Sequence, residues 1–129
     1  MHVKTTHDKA LVEARRLTLQ REVDRFVREL SQERETVGIV LFGSLADGVL
    51  RECSDIDMVV VKDTNVPFLE RLRQMRGQLK PKVATDFLVY TSEEIERLWL
   101  NRPFFREEIM QRGKVLYERE RGALAHLCA

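Results

Sequence analysis

The chain has 129 residues, with 22 Lys or Arg against 21 Asp or Glu and a formal net charge of +1, which suits one domain with a single core and leaves no room for a separate substrate domain. Arg and Glu are interleaved along the chain, so no basic stripe forms and nucleic acid is not indicated as the main ligand. No apolar run reaches the ~20 residues of a membrane span, MHVKTTHDKA has no leader-like apolar stretch, and Cys53 and Cys128 lack metal-ligand spacing, so a soluble cytoplasmic protein with reduced thiols and no membrane partner is expected.

The first predicted element is an amphipathic helix over about residues 8–34, with Leu19, Val23, Phe26, Val27 and Leu30 on one face. TVGIVLFG, Thr36 to Gly43, is apolar, β-branched and short, which fits a strand buried on both faces. SLADG allows a short helix with Ser44 as its N-cap and Gly48 near its end. DIDMVVV, Asp55 to Val61, is a second strand. Pro67 opens a helix that runs to Leu79 and stops at Lys80-Pro81. Lys82 to Tyr90 is a third strand, and TSEEIERLWL starts a helix with a capping box on Thr91 or Ser92. Pro103 interrupts that helix and opens another that ends at Gly113. KVLYE is a short fourth strand. The predicted architecture is α/β or α+β: a small mixed sheet of three to four strands flanked by helices, one domain over residues 1–129 with a catalytic core at about 36–118.

Three acidic residues do not belong to this apolar pattern. Asp55 and Asp57 stand at the mouth of Met58-Val59-Val60-Val61, and strand alternation points them the same way while Ile56 and Met58 face the core. Asp86 stands alone among the apolar residues of the third strand. Carboxylates held together beside a hydrophobic strand repel each other and resist desolvation, so a cation is expected between them. If the second and third strands are neighbours, the three converge on one patch. Hard oxygen donors without a His or Cys cluster suit Mg2+, with Mn2+ as its substitute, and two such ions would clamp the attacking and leaving oxygens of a phosphoryl transfer. Ahead of them Gly43-Ser44 ends a strand and opens a short helix, which leaves backbone N–H groups and a hydroxyl for a phosphate. An anion cradle followed by an acidic pair is chemistry for a nucleoside triphosphate.

GS at Gly43-Ser44, SDID from Ser54 to Asp57, and the isolated Asp86 resemble, in order and spacing, the polymerase-beta-like nucleotidyltransferase superfamily. FGSLADG, SDIDMVV and the later GKVLYE are similar to the minimal nucleotidyltransferases, the MNT or MntA-like antitoxins paired with HEPN-domain toxins; the likeness runs over roughly residues 37–118. The resemblance implies transfer of a nucleoside monophosphate, commonly AMP from ATP, with release of pyrophosphate. It implies that Asp55 and Asp57 bind two metal ions, that Asp86 binds the catalytic metal and helps activate the acceptor hydroxyl, and that Gly43 and Ser44 hold the terminal phosphates. It further implies a tyrosine of a HEPN-type toxin partner as the acceptor; between a homo- and a hetero-oligomer the sequence does not choose. The chain departs from this pattern after Gly-Ser, where many relatives carry basic residues and this one carries Leu45, Ala46 and Asp47. Arg51, Lys62 and Lys82 are the candidate replacements.

Taken singly, each feature has a plainer explanation: a Gly-Ser turn, a solvated strand end at Asp55-x-Asp57, a hydrogen-bonded Asp86. Their joint occurrence favours the metal–nucleotide reading. Cys53 reads as a loop bystander, since no His lies near it in sequence, and His2, His7 and His126 as solvated residues near the termini. LWLNRPFF, Leu98 to Phe105, carries more large apolar side chains than one helix face buries, and the surplus suits an interface. Two other functions compete: an antitoxin that neutralises its partner by binding alone, and a small-molecule nucleotidyltransferase of the antibiotic-modifying kind. The second is disfavoured because the chain ends without the helical domain that usually helps hold the drug.

Overall fold

A computed structural model describes residues 6–128, with side chains from residue 8 onward. The elements run α1 (Thr6–Leu30), β1 (Thr36–Phe42), α2 (Ser44–Asp47), β2 (Ile56–Lys62), α3 (Phe68–Leu79), β3 (Thr85–Tyr90), α4 (Ser92–Asn101), a π-helical segment (Phe105–Gln111), β4 (Lys114–Glu118) and α5 (Ala125–Cys128). The four strands form one mixed sheet in the order β3-β2-β1-β4. β1 pairs antiparallel with both β2 and β4, and β2 pairs parallel with β3 through the crossover helix α3. The expected α/β architecture is therefore the observed one.

Each side of this sheet is covered, which explains why β1 and β2 read as almost unbroken apolar runs. On one side α1 and α3 bring Leu19, Val23, Phe26, Leu30, Met75 and Leu79 against Ile39, Leu41, Ile56, Met58, Val60 and Phe87. On the other, α4, the π-helical segment, and α5 with the turn before it bring Ile95, Phe105, Met110, Leu124 and Leu127 against Val40, Val59 and Val61. Each such side chain contributes about 1.5–3 kcal/mol by leaving water. Among the described residues no helix is long and apolar enough to cross a membrane.

Element boundaries shift for local reasons, and β2 runs Ile56–Lys62 in place of the expected Asp55–Val61, which leaves Asp55 just outside the strand. α1 ends at Leu30 rather than near residue 34, because Gln32 N–H turns to Glu29 O and Glu33 N–H to Leu30 O in tighter, three-residue closures. β3 begins at Thr85 rather than Lys82, and the Thr85 hydroxyl donates to Val83 O across the bend before it. Beyond Pro103 the chain winds as a π-helix, whose i→i+5 bonding lays Phe105 over Met110 so that both are buried. α5 was not anticipated; four residues are too few to show a helical period.

The helix starts are better determined. Pro67 stands at the N-cap position of α3, one residue before the expected first turn and without a side-chain cap bond, and Thr91 forms the capping box of α4: its side chain accepts from Glu94 N–H while the Glu94 carboxylate accepts from Thr91 N–H. Glu94 also receives Arg71 at 2.6 and 3.3 Å, and Arg71 donates to Val66 O and Val89 O. The guanidinium beside it holds the Glu94 carboxyl below its usual range, although partial burial opposes the shift. This network closes the C-terminal end of β3.

Candidate active site

The opposite end of the same strands is built differently. Parallel pairing of β2 with β3 puts Asp57 in register with Asp86, followed on the same face by Val59 with Leu88 and Val61 with Tyr90. A hydrophobic face thus ends in two facing carboxylates. They are close enough to share a hydrogen bond, and Asp55 adds its charge from one residue before β2. Burial, then the charges of Asp86 and Asp55, push the Asp57 carboxyl up to about 6. The ionised site is short of positive charge.

Gly43 closes the floor. It adopts φ 76° and ψ −160° ahead of α2, a left-handed region that glycine tolerates. A Cβ there would stand 2.3 Å from Asp57 Oδ2, so any side chain at this position collides with the acid. Gly43, and not Ser44, is the N-cap of α2, and Ser44 is its first residue; a backbone carbonyl performs the cap, since Gly43 O accepts from Ala46 and Asp47 N–H. The N–H groups of Ser44 and Leu45 lie ahead of that pairing. Leu45 is buried in the core, which explains an apolar residue directly after the turn.

Ser54 has its own task. Its hydroxyl accepts from Arg51 N–H at 2.8 Å and its N–H donates to Arg51 O at 3.1 Å, which closes the turn that delivers Asp55. The carbonyl of Ser54 accepts from Arg15 Nε at 3.0 Å, and Arg15 Nη2 lies 3.7 Å from Asp55 Oδ1. Arg15 was not among the expected site residues. It sits forty positions before Asp55 on α1, and nothing in its neighbourhood aims it there. Of the cations that were candidates, Lys62 is engaged by Glu33 at 3.2 Å, Lys82 lies beside Glu22, and Arg51 is exposed. Asp47 stands within electrostatic reach of Arg112, whose nearer partner is Glu108 at 2.8 Å.

The donor set is that of a hard divalent cation: carboxylates, with no His or Cys among the acidic residues, and an Asp57–Asp86 pair whose mutual repulsion such an ion would relieve. The convergence is incomplete as the side chains stand. Among the described residues no group of three His, Cys, Asp or Glu is gathered tightly enough to hold an ion, and Asp55 is engaged by Arg15. As the side chains stand, the facing Asp57–Asp86 pair is the part of the expected set that suits a metal, and Asp55 is turned to Arg15. Cys53 is exposed, and His126 contacts Glu96 far along the chain from the site. His2 and the side chain of His7 lie outside the described residues.

A family model for Polymerase beta, Nucleotidyltransferase matches residues 25–122, about three quarters of the chain. The chain belongs to this nucleotidyltransferase family. All five expected site residues fall inside the matched span, and Arg15 falls before it. Solved structures show the same fold. A protein from Sulfolobus solfataricus described as a candidate nucleotidyltransferase superimposes with a TM-score of 0.62 at 18% identity, over 86% of this chain and 90% of that one. A toxin–antitoxin complex with AMP-PNP gives 0.51 at 17% identity, and a mutant of the MntA-HpeT toxin–antitoxin gives 0.52 at 17%; each covers 84% of this chain and 79% of its own. Comparison with curated proteins gave no match.

Proposed function

We propose that this nucleotidyltransferase moves a nucleoside monophosphate, AMP from ATP in the first instance, onto an acceptor hydroxyl with the help of two divalent ions, and that it acts as an antitoxin whose acceptor is a tyrosine of a HEPN-type toxin. The observation that carries the chemistry is the in-register Asp57–Asp86 pair beneath Gly43, with Asp55 in electrostatic reach. Support for the setting is of a different kind: two of the fold neighbours are toxin–antitoxin assemblies, and one of them holds an ATP-shaped nucleotide.

Asp55 and Asp57 would hold one face of the metal site and Asp86 the other. When bound, the ions supply the positive charge that neutralises the phosphates and the developing charge on the attacking and leaving oxygens. The chain's own part is placement. Gly43 lets the backbone approach Asp57 without a side chain between them, and Ser44 follows with its hydroxyl and N–H toward the terminal phosphates. Asp86 is exposed on the edge strand, where a hydroxyl from outside reaches it. In the reaction the acceptor oxygen bonds to the alpha phosphorus, the bond to pyrophosphate breaks, and the acceptor proton passes to the Asp86 carboxylate.

A second reading keeps the binding and drops the chemistry. Leu45, Ala46 and Asp47 offer a triphosphate no cation, and Asp55 is held by Arg15, as in a protein that masks its toxin. Incubation with ATP labelled at the alpha phosphate, Mg2+ and a HEPN-type toxin as the trial partner separates the two. Labelled partner, with intact mass raised by whole AMP units, supports transfer. A partner that is inhibited but unmodified supports masking.

A further inference from the structure

α1 extends past the family-matched span, and its early turns reach the site: the guanidinium of Arg15 is anchored to the carbonyl of Ser54 at 3.0 Å and paired with Asp55 at 3.7 Å. Among the described residues Arg15 is the cation that lies within ion-pair distance of one of the three site carboxylates. Its second contact is the weak one. With 25% of the Arg15 side chain and 47% of the Asp55 side chain exposed, the ion pair is screened by water and readily exchanged. A triphosphate brings about four negative charges, and α2 contributes Leu45, Ala46 and Asp47, none of them basic. Lys62 is tied to Glu33 and Arg112 to Glu108.

We infer that Arg15 is a phosphate-binding residue of this nucleotidyltransferase, held on Asp55 in the ligand-free protein and released toward the nucleotide when divalent ions take Asp55. The inference rests on the metal–nucleotide reading given above. Its physical basis is competition for one carboxylate. A divalent ion outcompetes a single, partly buried guanidinium at 3.7 Å for Asp55 and repels it in the same event, while the incoming phosphates supply the anion it then lacks. The planar fork matches two phosphate oxygens at once, which a lysine at the same place does not. The Nε bond to Ser54 keeps the base of the guanidinium in place during the exchange, so the movement is one of side-chain rotation and not of α1 as a whole.

The test uses the full chain and two titrations followed by calorimetry: Mn2+ alone, then a non-hydrolysable ATP analogue in saturating Mn2+. In Arg15→Gln, loss of the competing cation tightens Mn2+ binding about two- to fivefold, and loss of the phosphate contact weakens nucleotide binding about tenfold or more. Arg15→Lys keeps the charge and falls between. Opposite signs in the two titrations distinguish this role from a merely structural tie, which would weaken both. Parallel weakening, or no change in either, overturns the assignment of Arg15. Absence of Mn2+ and nucleotide binding in the unsubstituted protein overturns the functional reading itself, and Arg15's role with it. Unfolding midpoints of the variants in EDTA, expected within a few degrees of the parent, show that the changes do not come from loss of fold.

Discussion

The two ends of β3 handle charge in opposite ways. At its C-terminal end the Arg71 guanidinium meets the Glu94 carboxylate along two bonds and fills its remaining donors with Val66 O and Val89 O. At its N-terminal end Asp86 faces Asp57, with Asp55 nearby, and among the described residues the one cation in contact, Arg15, reaches only Asp55. The first arrangement lowers a carboxyl pKa and ties α3, β3 and α4 together; the second raises one and costs stability. A domain that satisfies its charges so fully roughly 13 Å away, at ~3.3 Å per residue along the strand, has the means to satisfy them here. Asp57 and Asp86, without an ion-pair partner among the described residues, mark this end as the candidate ligand site.

The contrast is broken most sharply by removing the open end. Asp57→Asn and Asp86→Asn, each of nearly unchanged shape, are expected to cut transfer of alpha-phosphate label by about 10³-fold or more, as loss of a group that acts on the transition state does. Retained label transfer in either variant would take that residue out of the chemistry. Removal of the closed end acts on folding instead. Arg71→Ala strands the Glu94 carboxylate and is expected to lower stability by about 2–4 kcal/mol in urea unfolding, toward the lower figure because Glu94 keeps some contact with water.

A third experiment sets stability against function at the same residue. Because the folded Asp57 carboxyl is raised from its usual 3.8 to about 6, the stability tied to its protonated form is present below pH 3.8 and is lost as pH rises through about 6. In EDTA the parent protein should therefore weaken across that window from this group, whereas Asp57→Asn should not, and the variant should be more stable at pH 7 by about 1–2 kcal/mol after allowance for partial solvent exposure. Thermal unfolding at pH 4, 6 and 7.5 reads the difference. The smallest effect belongs to the cap: Thr91→Ala removes half of the capping box and is expected to cost about 1 kcal/mol in the same assay, with label transfer unchanged.

Much of this molecule was legible before its structure. β1 and β2 announce themselves because both faces of the sheet are covered, so the apolar runs are unbroken; α4 announces itself through Thr91 and Glu94. The facing pair was legible through strand parity at Asp57 and through the intrusion of Asp86 into an apolar strand, whereas Asp55, expected as the first residue of the strand, lies one residue before β2 and turns to Arg15. What the sequence left conditional was adjacency, since nothing local to β2 or β3 states that they pair in parallel with Asp57 opposite Asp86. Pairings between distant, individually ordinary polar residues were invisible for the same reason. Arg15 and Arg71 look like any other arginine on the charged face of a helix until α1 and α3 are docked. The surplus of apolar residues in LWLNRPFF was also real: Phe105 is buried, while Leu100 and Phe104 remain 64% and 71% exposed.

On the reading proposed above, divalent ions and a nucleoside triphosphate complete the open carboxylate end of β2 and β3. Calorimetric titration of a non-hydrolysable ATP analogue, run with Mn2+ and with EDTA on the parent chain and on Asp57→Asn, tests it most directly. Saturable binding is expected in the parent with Mn2+, and none with EDTA or in the folded Asp57→Asn variant. Equal binding in all three conditions, or none in the parent with metal present, would contradict it.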